Sequence, residues 1–511
     1  MQIQHSVSFC TVLIIAVEAC MLCFTPLYAL TFPQDFGYSQ MTEWLIDGGQ
    51  FWEANRMFHP LDLGNKRVQE TVYGRSAFDW VSNRLTIYQN RILHLGNDAE
   101  NGFWLSTRLG FCASGQAGTQ RRYSSVGVEP FLWCQAGLQQ NWYATLLVRA
   151  TNEPEDLPHY SGISRERSRF GMTSGEIDQS HFGFQNDWFS ADFGRGREIW
   201  GPNSEDNLTL AGTAPSYERL MLEGKYKQFA YRYFFGFLET ASDSANIERY
   251  IVGRALEYCN SRNLVLGISE VSILSGIDRS VDWTFLNPFA THVEIEANKR
   301  SNNTGNKSDV DYTFYLDWLL LSNLRLAASL DIDDFQVDAT NRHEAGNLMG
   351  YLAHVAWTPV NRSIGLTVFT DYVQISTYSM QHSNPYCNLV SRGQLLGHYI
   401  GNDANLMQVG ARAILSSQHI GELRFGQRQW GDNSLLLAPY SAYNKPLRTS
   451  FPSGRIRTNR YIEINIDGYY FESLHYTIDG HLDVVARGPK SQMELWMLTL
   501  EWYIPLEYFN K

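Results

Sequence analysis

The chain has 511 residues, of which 44% are hydrophobic, 14% aromatic and 18% charged, and its formal net charge is −12. Its mean hydropathy is −0.29, and no run of about eighteen apolar residues follows residue 30, which excludes a helical membrane protein for the exported chain. The acidic balance and the lack of a basic cluster argue against a nucleic-acid partner. A β-barrel is compatible with this composition, because only alternate residues of a membrane strand face lipid.

Residues 1–30 have the outline of a secretory signal, with an apolar segment over residues 10–24 that Glu18 interrupts. We therefore predict export to an oxidising compartment, where cysteines can pair. Cys112 and Cys134 fall on neighbouring predicted strands and could form a disulfide. Free buried thiols are the alternative.

The next segment, residues 31–98, has helical character. Apolar residues recur at helical spacing: Val81, Leu85, Tyr88 and Ile92. We predict a small periplasmic helical bundle or plug over residues 31–98, followed by a β domain over residues 99–511. A loose linker is the alternative for the first of these segments.

After about residue 100 the hydrophobic period changes to two, as in strands with one apolar and one polar face. Residues 324–333 show this most clearly. One face carries Leu324, Leu326, Ala328, Leu330 and Ile332, and the other carries Arg325, Ser329, Asp331 and Asp333. Repeated strands of about ten residues with aromatic residues near their ends favour a membrane barrel over a soluble sandwich.

Short turns and long polar loops alternate along this β domain, as they do in outer-membrane barrels. Short turns are predicted near residues 136–140, 186–187, 226–228, 260–262, 321–323, 359–362, 416–419 and 471–475. Longer loops are predicted near residues 114–122, 153–178, 195–216, 240–247, 275–309, 338–346, 380–403, 431–458 and 484–491. The predicted fold is therefore an all-β transmembrane protein, an antiparallel outer-membrane β-barrel of about 18 strands with a small N-terminal α-helical plug. A count of about 16 is the alternative.

Residues 181–203 contain two aromatic-rich runs joined at Asn186-Asp187, which predicts a tight hairpin. The second run ends in Gly194-Arg195-Gly196-Arg197 and continues to Trp200-Gly201-Pro202-Asn203. This pattern resembles the signature of the Wzi capsule-assembly family of outer-membrane proteins. Two later segments resemble family motifs in the same order: Asp331-Ile332-Asp333-Asp334-Phe335 and Gly397-His398-Tyr399-Ile400-Gly401-Asn402-Asp403-Ala404. The resemblance implies an 18-stranded barrel with a helical bundle at its closed end, and a lectin-like role in attaching or organising capsular polysaccharide.

Two arginines of the first motif are candidates for either of two roles. Arg195 and Arg197 could clamp an acidic sugar, since a guanidinium binds carboxylates in a bidentate manner. They could instead anchor their loop on lumen carboxylates such as those of Asp331, Asp333 or Asp334, which is the role we favour. Further candidate glycan contacts are loop residues with flat rings: Trp200, His398, Tyr399 and Trp430.

Charges of both signs fall on the strand faces that we assign to the lumen. They include Arg232, Arg325, Asp317, Asp331, Asp333, Asp334, Arg412, Glu422, Arg424, Arg428, Glu463, Asp467, Asp479 and Asp483. An unpaired buried charge is costly, so we expect these side chains to pair and brace a plugged barrel. An ion-selective channel, the alternative, would favour rings of a single sign.

The sequence contains no nucleophile elbow and no zinc-binding histidine pair, so we expect no enzyme, no cofactor and no metal site. We predict a monomeric barrel in the outer membrane of a Gram-negative bacterium, in contact with outer-membrane lipid. Its expected partner is capsular or another surface polysaccharide. A diffusion porin or outer-membrane transporter is the alternative function.

Overall fold

The structure is a computed structural model of the chain. It describes residues 103–118, 125–138, 141–153, 168–186, 188–202, 206–242, 246–260, 263–301, 307–321, 323–334, 348–358, 366–416, 419–443, 450–471, 474–485 and 494–510. The predicted signal segment and the predicted helical domain lie outside these residues.

The described residues are almost entirely β-structure. The strands are β1 (Phe103–Gly118), β2 (Ser125–Leu138), β3 (Trp142–Thr151), β4 (Ser174–Gln185), β5 (Phe189–Gly196), β6 (Tyr217–Tyr226), β7 (Phe229–Phe237), β8 (Ala241–Ser242), β9 (Asn246–Cys259), β10 (Leu264–Ile277), β11 (Ser308–Leu321), β12 (Leu324–Asp334), β13 (Leu348–Trp357), β14 (Leu366–Ile375), β15 (Val390–Ser391), β16 (Gln394–Leu395), β17 (Ala404–Ser416), β18 (His419–Trp430), β19 (Arg457–Phe471), β20 (Leu474–Val485) and β21 (Glu494–Asn510). Two short helices, α1 (Trp283–Leu286) and α2 (His292–Ala297), lie between β10 and β11, and a 3₁₀ turn covers Pro385–Cys387. Within these ranges no helix is long and apolar enough to cross a membrane.

The long strands form one antiparallel sheet in which each pairs with its neighbours along the chain. β1 also pairs with β21, from Phe103 opposite Asn510 to Gly118 opposite Leu495, so the hydrogen-bond ladder returns to its first strand. Of the 21 described strands, β8, β15 and β16 have two residues each, which leaves 18 in the ring. The connections between them alternate between short turns and longer loops at the predicted places, which confirms the predicted barrel.

The two faces of the wall differ as the period-two pattern predicts. On β12, Arg325, Ser329 and Asp331 are buried inside the barrel. Residues that point the other way on many strands are large, apolar and exposed, for example Phe314 on β11 and Met407 on β17. Such an apolar outer surface suits contact with lipid hydrocarbon.

The strand register decides the question of a disulfide between β1 and β2. Cys112 lies opposite Glu129, and Cys134 lies opposite Thr107, so the two cysteines are not neighbours across the ladder. Neither forms a disulfide in the structure. The fold therefore supports the alternative of two separate thiols.

Candidate functional site

Three connections at the loop end of the barrel fold over its mouth and into its lumen. We call residues 197–216, 376–403 and 431–456 the loop lid; residues 203–205 and 444–449 within it are not described. Apolar side chains from these connections pack with lumen-facing side chains of the strands in one buried cluster. From the lid it contains Trp200, Leu208, Leu210, Ala214, Met380, Leu389, Val390, Leu396, Ile400 and Leu435.

The described residues of the first connection of the lid, 197–202 and 206–216, run through the lumen from β5 and β6 to a distant part of the wall. The Arg325 guanidinium on β12 donates to the Pro202 carbonyl over 2.7 Å. The hydroxyls of Thr209 and Thr313 on β11 lie 3.1 Å apart within hydrogen-bonding distance. Because β11 and β12 lie several strands away from β5 and β6 around the ring, this connection obstructs the lumen.

Two glycines of the first motif are required by the path of this connection. Gly194 has φ 147°, and a Cβ there would lie 1.9 Å from the Ser180 carbonyl oxygen. Gly201 has φ 142°, and a Cβ there would lie 2.3 Å from the Asn207 side-chain oxygen. At Gly194 a side chain would clash with backbone, and at both positions the positive φ would strain any other residue.

The motif arginines bind carboxylates, but not those that we predicted. Arg195 is 2.6 Å from a Glu218 carboxylate oxygen and donates to the Ser216 carbonyl over 3.0 Å. Arg197 pairs with Asp178 on β4. Both arginines therefore tie the 197–216 connection to strands beside it, and the expectation of Asp331, Asp333 or Asp334 as partners is wrong for these arginines. The reason is geometric, because β12 lies across the lumen from β5.

Trp200 does not offer a free ring face at the surface. Its side chain is 2% exposed and meets Phe234 edge to face, with ring centroids 5.0 Å apart. Its indole nitrogen donates to Glu198 over 3.1 Å. This burial corrects the expectation of a sugar-stacking platform, because the connection that carries Trp200 folds inward instead of projecting outward.

A buried charge cluster beneath this connection was missed by the sequence reasoning. The Arg219 guanidinium lies 2.5 Å from Asp192 and 2.6 Å from Glu198, and the Tyr143 hydroxyl donates to Asp192 over 3.3 Å. Arg219 and Asp192 alternate with apolar residues on β6 and β5, which is the pattern that could have revealed them. The cluster fixes the start of the 197–216 connection to the wall.

The second connection of the lid, residues 376–403, is held by an arginine that the sequence analysis also missed. Arg249, buried at the loop end of β9, donates to the carbonyls of Tyr386 over 2.7 Å, Asn388 over 3.0 Å and Val390 over 2.9 Å. It also lies 2.6 Å from Glu239. Three backbone carbonyls bound by one cation leave this connection little freedom.

The third family-like motif links the second and third connections of the lid. The Asp403 carboxylate accepts from the Ser453 amide over 2.8 Å, the Asn433 amide over 3.1 Å and the Thr377 hydroxyl over 2.9 Å. The Asn402 side-chain oxygen accepts from the Leu435 amide over 2.7 Å. The motif therefore joins residues 376–403 to residues 431–456.

Other residues of this motif face the interior. His398 is buried, and burial lowers its pKa to about 3, which keeps the imidazole neutral. Its ring stacks on that of half-buried Tyr399 at 4.7 Å, beside the Arg428 guanidinium of the lumen, 5.6 Å from the Tyr399 ring. Trp430 is half-buried, and its indole nitrogen donates to the Ile400 carbonyl over 3.1 Å. His398 and Tyr399 are therefore part of the lid itself, and Trp430 binds the lid at the Ile400 carbonyl.

Where the structure describes their side chains, the charges assigned to the lumen lie close to partners of opposite sign or to hydrogen-bond donors; the side chain of Asp467 is not described. Arg325 binds both oxygens of Asp317, over 2.9 and 3.0 Å, and Arg232 lies 3.3 Å from Glu257. Further ion pairs are Arg412 with Glu422, Arg424 with Glu422, and Arg428 with Glu463. Asp331 accepts from the Thr313 hydroxyl over 3.0 Å and Asp333 from the Met380 amide over 2.7 Å, whereas the side chain of Asp334 lies outside the described part of the chain. The interleaved signs resemble a bracing network more than a single-sign selectivity ring.

Two pairs of tyrosines lie in the lid, and three of these residues are half-buried. The rings of Tyr386 and Tyr440 lie 6.1 Å apart, and Tyr443 packs beside Tyr378 at 5.9 Å. The Tyr440 hydroxyl donates to Glu239, and burial together with this bond raises its pKa to about 12. We call Tyr386 and Tyr440 the tyrosine patch. Partly exposed aromatic rings are surfaces on which sugars can stack.

The chain is similar to known proteins in its three-dimensional structure. No protein-family profile and no curated protein sequence matches the chain. The chain is similar to Wzi of Escherichia coli, which is described as an outer-membrane protein involved in group 1 capsule assembly and as a carbohydrate-binding β-barrel. The two structures match with a TM-score of 0.62 and 13% sequence identity, and the match covers 94% of this chain and 99% of Wzi.

Two outer-membrane proteins of Pseudomonas aeruginosa match less well. OccK2 has a TM-score of 0.46 and 9% identity and covers 80% of this chain and 98% of its own. OprD has a TM-score of 0.44 and 10% identity and covers 81% of this chain and 98% of its own. By its likeness to Wzi the chain has the fold of an outer-membrane β-barrel, and its apolar outer wall fits a place in the outer membrane of a Gram-negative bacterium.

Proposed function

We propose that this protein binds a surface polysaccharide and helps to attach or assemble capsule at the outer membrane. The observation that carries the proposal is the loop lid, in which lid connections cross the mouth of the barrel and bind one another through buried polar contacts. Arg325 and Arg249 hold the lid to the wall, and Asp403 holds its connections together. A lid built in this way suits an obstructed barrel that binds its ligand at the surface.

The likeness in fold to a carbohydrate-binding barrel supports the proposal. The alternative, a diffusion porin or transporter, needs an open path through the lumen. The described residues of the 197–216 connection lie across that path, and mixed charges pair along the wall around it. The arrangement of the described residues therefore favours surface binding over diffusion.

We place the polysaccharide at the tyrosine patch. Tyr386 and Tyr440 lie on different connections of the lid, so a glycan spanning both rings would contact two connections at once. The Arg249 guanidinium lies 5.4 Å from the Tyr440 ring, which positions the ring without placing the cation at the surface. The patch offers stacking faces together with hydroxyl and backbone groups for hydrogen bonds.

The test is binding of capsular polysaccharides to the purified, detergent-solubilised protein on a glycan array. We expect the wild-type protein to bind at least one acidic or neutral capsular polymer. Tyr386→Ala should weaken that binding by about five-fold, the equivalent of about 1 kcal/mol, because one stacking face is lost.

The matched control is Phe170→Ala, which removes an exposed aromatic ring from a connection outside the loop lid. This variant should bind like the wild type, and both variants should keep the heat-modifiable migration of a folded barrel. A wild-type protein that binds no polysaccharide but admits small solutes into liposomes would instead establish the porin alternative.

A further inference from the structure

The connection between β10 and β11 does not fold into the lumen as the loop lid does. Residues 278–301, which we call the outer-wall segment, contain α1 and α2 and pack on the outside of the barrel. They cover outward-facing residues that would otherwise meet lipid. Those residues are Tyr233, Phe235, Tyr250, Val252 and Leu274, all of them buried.

Beneath this segment a row of polar side chains crosses the outer wall. The register places Tyr233 of β7 opposite Arg254 of β9, Arg254 opposite Glu270 of β10, and Glu270 opposite Tyr312 of β11. Arg254 and Glu270 form an ion pair of 2.7 Å, and the Tyr312 hydroxyl donates to Glu270 over 3.1 Å. These positions lie near the middle of their strands. A charged side chain on the lipid face is most destabilising at that depth.

The outer-wall segment covers this row of polar side chains. The row in turn supplies hydrogen-bond partners for backbone atoms of the segment. Arg254 donates to the Phe285 carbonyl over 3.2 Å, the Tyr233 hydroxyl donates to the same carbonyl over 3.0 Å, and the His292 amide donates to Glu270 over 3.0 Å. Further up the wall the Tyr250 hydroxyl donates to the Arg279 carbonyl over 2.7 Å. Irregular backbone persists at membrane depth where protein groups bind its polar atoms, as these do.

The exposed side of the segment carries large apolar residues over 283–293 and charged ones at and after the end of α2, where Glu296, Lys299 and Arg300 are exposed. Trp283 is 84% exposed and Phe289 is 78% exposed, and Val293 on α2 is exposed as well. Phe289 stacks on outward-facing Tyr231 at 5.6 Å, so its ring continues the surface of the wall. Around the segment the wall presents further exposed apolar residues: Phe229, Phe237, Leu256, Leu266, Ile268 and Phe314.

We propose that the outer-wall segment is embedded in the membrane on the outside of the barrel, where Trp283, Phe289 and Val293 contact the hydrocarbon of the outer-leaflet lipid. The lipid is the occupant because the exposed face is continuous with the lipid-facing wall and lies at the depth of the Arg254–Glu270 pair. With these three residues the segment places apolar side chains over a polar strip of the wall. This inference depends on the fold and not on the proposed polysaccharide binding.

The test is photo-crosslinking in intact cells with p-benzoylphenylalanine placed at Phe289, followed by mass spectrometry of the adducts. The same probe at Met407, an exposed residue of the lipid-facing wall, gives the lipid pattern, and at Leu437, an exposed residue of the loop lid, it gives the pattern of a residue in water. We expect lipid adducts at Phe289 at a yield within about two-fold of that at Met407.

An adduct pattern at Phe289 like that at Leu437 would overturn the proposal, and so would a protein adduct, which would make the segment a docking surface for a partner protein. Heat-modifiable migration identifies folded protein in each case. Should the Phe289 variant fail to fold, the probe at Val293 on α2 decides between the same outcomes.

Discussion

At the scale of single residues, burial decides the role of the motif side chains. Arg195 and Arg197 pair with Glu218 and Asp178 and so anchor their connection. Trp200 and His398 are buried. The residue types alone could not predict this burial, because tryptophan and histidine occur both in sugar-binding sites and in protein cores.

Trp200→Ala should therefore destabilise the folded barrel. Removing a buried indole leaves a cavity beside Phe234, and such changes lower the free energy of unfolding by about 3 to 5 kcal/mol. The measurement is the midpoint of heat modifiability on gels. Trp188→Ala, which removes an indole that is 64% exposed at a short turn, should shift the stability by less than about 0.5 kcal/mol. Equal midpoints for the two variants would show that Trp200 is not a core residue.

At the scale of elements, close approach of backbones fixes the lid. A Cβ at Gly397 would lie 2.0 Å from the Leu208 carbonyl oxygen, so the first two connections of the lid touch where that residue has no side chain. The Ala211 amide donates to the Leu396 carbonyl over 2.9 Å at the same contact. A motif glycine that looks like a turn residue in the sequence is here a packing residue.

Gly397→Ala should separate these two connections and cost about 1 to 3 kcal/mol of stability, because added volume in a packed site displaces its neighbours. Loosened connections should be cut faster by protease added to intact cells. The control is Gly224→Ala, where a Cβ would meet no atom within 4 Å. If protease cuts both variants at the wild-type rate, the contact between Gly397 and Leu208 does not hold the lid.

At the scale of the whole molecule, the barrel combines an apolar outer wall, a paired charge network inside and a lid at its loop end. The connections of the lid depend on one another, because Asp403 binds residues from two of them. The outer-wall segment adds a second layer to the wall over β7, β9, β10 and β11. A barrel with an obstructed mouth is expected to conduct poorly.

In planar bilayers we expect the wild-type protein to show almost no single-channel conductance. Asp403→Ala removes the acceptor for two backbone amides and two hydroxyl groups, so the lid should loosen and conductance steps should become at least about ten-fold more frequent. The comparison variant is Glu153→Ala, which removes an exposed carboxylate from a connection outside the loop lid. Steady large conductance in the wild-type protein would contradict an obstructed lumen and favour the porin alternative.

By itself the sequence determined the barrel. Period-two alternation is a local property of each strand, and turn residues lie next to the strands they join, so the strand number, the turns and the lumen face of β12 could all be predicted. The helical domain predicted over residues 31–98 lies outside the described part of the chain.

Only the tertiary structure decided which way the loops fold and which charges pair. The Arg325 bond to Pro202 joins residues 123 positions apart in the chain, and Arg249 reaches Val390 across 141 positions. Such contacts depend on how the ring of strands closes and leave no periodic signal. The packing of residues 278–301 on the outside of the barrel could not be predicted for the same reason. Only the register shows that Arg254 and Glu270 share the outer face of the wall.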